Sequence, residues 1–81
     1  MPDGDAEDAI REFTARRGAG KTVCPSEIAR ELAGDGGDWR ARMAEVHHAV
    51  DALVAERAVV LSWKGARLVR RDGPYRIGLP R

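Results

Sequence analysis

Val59-Val60-Leu61-Ser62-Trp63-Lys64-Gly65-Ala66-Arg67-Leu68-Val69-Arg70 is where the apolar spacing of this chain changes from helical to alternating. Val59, Leu61 and Trp63 alternate with Val60, Ser62 and Lys64, the period of a half-buried strand. Gly65 marks a turn, and Ala66 to Arg70 reads as a returning strand. Asp72-Gly73-Pro74 is a second turn, after which Tyr75, Ile77 and Leu79 alternate with Arg76 and Gly78. If these strands pair, Val59, Leu61, Trp63, Tyr75, Ile77 and Leu79 share one face.

Upstream the period is helical. Ala6, Ala9, Ile10, Phe13 and Thr14 follow the spacing of an amphipathic helix from Asp5 to Arg17, with Asp5 as N-cap and Gly18 ending it. Residues 1–4 read as a disordered tail, and residues 5–81 as a single domain. Thr22-Val23-Cys24 is a short β-prone run, and Pro25 suits the first position of a second helix reaching Ala33. Gly34-Asp35-Gly36-Gly37 breaks it. Asp38 caps a third helix from Trp39 to about Arg57, with Trp39, Met43, Val46, Val50, Leu53 and Val54 on one stripe. Its opposite side collects Ala41, Ala44, His48, Asp51, Ala52 and Ala55. Helix, strand, helix, helix, strand, strand is the order of a winged helix-turn-helix. The expected fold is therefore α+β, three helices with a small antiparallel sheet and a C-terminal wing.

Gly20-Lys21-Thr22-Val23-Cys24-Pro25-Ser26-Glu27-Ile28-Ala29, then Asp38-Trp39-Arg40 with Met43 and Val46, then Gly73-Pro74-Tyr75-Arg76-Ile77, resembles the small bacterial family called domain of unknown function 3253. The resemblance runs from about Ala6 to Leu79. It implies a winged-helix-like fold and supplies no catalytic residues. This chain has Trp63 where that family usually has a polar residue.

The bulk composition narrows the function classes. At 81 residues, with 43% hydrophobic and 33% charged residues, the chain is an ordinary globular domain. The acidic start lacks the apolar run of a signal peptide, and no stretch approaches a membrane span. The single Cys24 cannot form an internal disulfide, so a cytoplasmic compartment is expected. The net charge of +1 hides an asymmetry: residues 1–38 carry nine acids against five bases, residues 39–81 nine bases against four acids. Such asymmetry points to an anionic partner.

Catalytic inventories fail one by one. Gly18-Ala19-Gly20-Lys21-Thr22 hints at a phosphate-binding loop, but Ala15 stands where the pattern needs glycine, and a helix rather than a strand precedes it. His47 and His48 project about 100° apart on a helix and cannot chelate one metal together, and either one with Asp51 a turn away makes two ligands, too few for a structural zinc. Cys24 reads as packing. No enzyme activity, metal or cofactor is expected.

Two readings remain. The first is a nucleic-acid-binding domain holding duplex DNA through phosphate contacts from Lys64, Arg67, Arg70 and Arg71 on the wing. Arg40 and Arg42 at the third helix would add contacts, and His47 and His48 would act as base-edge or phosphate donors. Helix three is neutral and alanine-backed, without the Asn, Gln or Lys of base readout, so sequence-specific recognition is not expected. The second is a protein–protein interaction adaptor using that alanine-rich face. A monomer is the favoured state.

Overall fold

The computed structural model describes residues 2–80. Three helices and a four-stranded antiparallel sheet enclose one core. Helix α1 spans Pro2–Arg17, strand β1 Thr22–Val23, and helix α2 Pro25–Ala33. A single 3₁₀ turn, Arg40–Arg42, leads into helix α3, Met43–Ala55. Strands β2 (Val60–Trp63), β3 (Ala66–Leu68) and β4 (Arg76–Gly78) complete the chain.

Each helix boundary has a local cause. Helix α1 begins at Pro2, about one turn before the expected Asp5 cap, and takes in residues 2–4 of the expected tail. Proline fits a first helical turn because its φ is already helical and its missing N–H would be unpaired there. Of that expected tail, Met1 lies outside the described residues. Gly18, at φ +83°, ends the helix with its N–H donating to the Thr14 carbonyl. Thr14 itself is buried, and its Oγ1 donates to the Ile10 carbonyl at 2.8 Å, so this hydroxyl sits in the core at no unpaired cost. At the start of α2, Glu27 Oε2 accepts from the Cys24 N–H at 2.8 Å, the reciprocal half of a capping box.

The third helix departs from expectation at both ends. Asp38 Oδ1 accepts from Ala41 N–H at 3.4 Å, but the turn it caps is 3₁₀, and α-helical geometry begins only at Met43. The helix stops at Ala55, not Arg57. Arg57 N–H donates to the Val54 carbonyl and Ala58 N–H to that of Leu53, a Schellman closure that places Arg57 at φ +62°.

Strand order is β1-β4-β2-β3. The last strand therefore lies in the middle, pairing Val23 with Ile77 on one side and Leu61 with Ile77 on the other. Leu61 also faces Leu68, so Val23, Ile77, Leu61 and Leu68 form one row across the sheet. The first three are buried against Ile10, Ile28, Val46, Val50 and Leu53 of the helices. Strand β3 ends at Leu68 rather than Arg70, and β4 is confined to residues 76–78. Trp63 has the parity of the inner face but lies beyond the core at the hairpin end, so it stays 38% exposed instead of covering the helices. Lys64 and Gly65 join β2 to β3 with φ +51° and +84°, both positive as a tight two-residue hairpin turn requires.

Candidate nucleic-acid interface

A sheet covered by helices on one side presents every second side chain to the other. Register puts Arg76, Ser62 and Arg67 in one row on the outer face, with Thr22, Gly78 and Val60 in the row beside it. Lys21 and Gly20 border this face on the β1 side, and Lys64 and Gly65 on the hairpin side. Together they line an open groove of about 640 Å³. Four cations, Lys21, Lys64, Arg67 and Arg76, line it, and among the described residues no carboxylate does.

The state of those cations matters more than their number. Lys21, Lys64 and Arg67 are exposed and make no ion pair among the described residues. Arg76 is held from below: its Nε donates to Thr22 Oγ1 at 2.7 Å and its Nη2 to the Thr22 carbonyl at 3.4 Å. Arg17 also donates to that carbonyl, at 2.9 Å, and pairs with Glu27 Oε1 at 2.7 Å. The Arg17 hydrogen bond, working against desolvation, holds the Glu27 carboxyl below the usual carboxylate range. Glycine at position 78 keeps the groove floor low, because a Cβ there would sit 3.2 Å from the Lys21 carbonyl oxygen.

The residues expected from sequence to meet an anion divide into two groups. Lys64 and Arg67 lie in the groove, and Arg70 is exposed beside α3, close to Asp51, Val54 and Ala55. Arg71, by contrast, is spent inside the fold. Its Nε and Nη2 donate to the two oxygens of Asp51 at 2.6 and 2.7 Å, clamping the loop after β3 onto α3. Arg42 is likewise committed, with Nε on Glu45 and Nη1 donating to the Leu32 carbonyl at 2.9 Å, which ties the end of α2 to the start of α3.

His47, expected as a base-edge or phosphate donor, is half-buried. Its Nδ1 shares a 2.7 Å hydrogen bond with the hydroxyl of buried Tyr75, with the rings 5.6 Å apart. Burial, and then the Arg71 charge, push its pKa down, while burial raises that of the Tyr75 phenol. His48 is exposed on α3. Arg40 lies 4.4 Å above the Trp39 ring, whose π system also holds Arg30 at 4.6 Å. Ala44, Asp51 and Ala55 remain exposed along α3 and Ala41 on the 3₁₀ turn before it, and Ala52 is half-buried.

Lys21 and Arg76 escaped the sequence reading. In the sequence Lys21 belongs to a failed phosphate-loop pattern and Arg76 to an outward position of the last strand, and neither stands among the residues expected to meet an anion. The available signal was the parity of Arg76, once β4 is known to pair with both β1 and β2. Among the described residues, no group of three or more His, Cys, Asp or Glu side chains is placed to hold a metal, and no helix is long and apolar enough to cross a membrane.

An α+β domain with a cationic outer sheet face is the class that this geometry defines. The chain belongs to the family described as protein of unknown function (DUF3253), whose model matches residues 3–80. No curated protein matches it.

Proposed function

We propose that this domain is a winged-helix nucleic-acid-binding module that grips the phosphate backbone of duplex DNA without reading its sequence. One observation carries the reading: Lys21, Lys64, Arg67 and Arg76 line one groove in which no carboxylate stands among the described residues. The position of β4 between β1 and β2, with three helices on the other face, supports the winged-helix assignment. The hairpin of β2 and β3 is then the wing. The exposed side of α3 offers alanine where base-reading helices carry amide or basic side chains, so affinity comes from phosphates.

Neutralising about four phosphates gives a slope of log K against log salt of about −3.6, or on the order of 10²-fold weaker binding between about 50 and 200 mM salt. Fluorescence anisotropy with a short generic duplex measures this directly. Arg67→Ala should weaken binding and reduce the slope by about one. Affinity indifferent to salt, or a slope unchanged by Arg67→Ala and Lys21→Ala, would exclude the assignment.

A further inference from the structure

A second surface lies around the corner from the cationic groove. Strand β3 is an edge: among the described residues it pairs with β2 alone, and its outer side carries no ladder. Beside it, between the C-terminal end of α3 and the hairpin, runs a groove of about 520 Å³. Its walls include Val54, Leu68, Val69 and Pro80, and Arg57 and Arg67 stand at its margins. Val69 is 91% exposed, the most solvent-exposed large apolar side chain among the described residues. Neither Arg57 nor Arg67 makes an ion pair among the described residues.

An unpaired strand edge, an apolar trough beside it and two free cations make complementary demands on one partner. The edge asks for an extended backbone, which supplies main-chain hydrogen bonds in β-augmentation. The trough asks for apolar side chains at alternate positions, since successive residues of a strand point to opposite sides. The cations ask for carboxylates. We propose that β3 is a docking edge for an extended acidic-apolar peptide segment of a protein partner, which adds to the sheet as a fifth strand. A second copy of this chain is the poorer occupant, because antiparallel β3–β3 pairing would bring Arg67 and Lys64 of two copies together without a compensating acid. Duplex DNA is poorer still, since a phosphate gains nothing from Val54, Leu68 and Val69.

The test is an NMR titration of the intact chain with synthetic peptides in which Glu alternates with Leu, Ile or Val. Saturable shifts at residues 66–69, with slowed amide exchange there and perturbed Val54 and Leu68 methyls, are expected. Val69→Ser should bind about tenfold more weakly by losing the apolar contact, while the fold stays intact because Val69 faces solvent. Four results would overturn the proposal. The acidic peptides leave β3 unmoved; they perturb only Lys21 and Arg76 in the outer groove; peptides with Lys in place of Glu bind equally well; or the free chain sediments as a dimer whose β3 amides are already protected.

Discussion

Replacing Arg71 by alanine separates an arginine that holds the fold from one that holds a ligand. Its guanidinium makes a two-pronged contact with Asp51, the stronger geometry for such a pair. The two side chains are 33% and 48% exposed, so water and salt screen the attraction. An exposed pair of this kind contributes up to about 1 kcal/mol, and the fork geometry places this one toward that upper value. For a domain this size, such a loss lowers Tm by roughly 4–8 °C.

The loss should depend on pH. Arg71 depresses the folded-state pKa of Asp51, so the pair's contribution is present above the unfolded carboxylate value of about 3.9 and disappears as pH falls through the folded value. His47 acts in the same direction. Its folded pKa is lowered, first by burial and then by Arg71, so acid sets a protonated His47 against Arg71 in the parent chain alone. Urea unfolding of parent and variant at pH 7 and at pH about 2.5 measures the gap in each condition. A gap of the same size at both would mean that Arg71 acts by packing rather than by charge. Duplex affinity at pH 7 should be unchanged, and a loss equal to that of Arg67→Ala would refute the assignment of Arg71 to the fold.

Two further substitutions probe the backbone and the buried polar pair. Arg57→Gly should stabilise the domain by about 0.5–1 kcal/mol, because a side chain at φ +62° carries a strain that glycine lacks; thermal unfolding should show a higher midpoint. Tyr75→Phe should cost about 1–2 kcal/mol in urea unfolding, since it removes the partner of half-buried His47 Nδ1.

Much of this fold is written locally. Gly18, Pro25 and Gly65 act within a residue or two of themselves, and the breaks they impose stand where the sequence places them. The inward stripe of α3 is equally plain, because Val46, Val50 and Leu53 need only helical spacing to align. What could not be read depends on partners distant in the chain. That Arg76 would rest on Thr22, Arg71 on Asp51 and His47 on Tyr75 follows from strand order and loop path. The sequence showed a basic C-terminal half, but the fold sorts those bases into clamps and free cations. It then brings in Lys21 from the acidic half. Trp63 failed for a related reason: alternation predicts which side a residue takes but not where the core beneath it ends.

The place of β4 in the middle of the sheet has a consequence for how the chain reaches this state. Every helix, and the local hairpin of β2 and β3, can form from neighbouring residues as soon as they are available. The inner ladder cannot, because Thr22 must wait for Gly78 and Val23 for Ile77. Closing that long loop costs entropy before any contact repays it, so joining β1 to the rest of the sheet is expected to be the slow step of folding. Until it happens, Val23 and Leu61 each offer an unpaired edge to any strand that passes. The interval before the last strand arrives is when this domain is most exposed to mispairing.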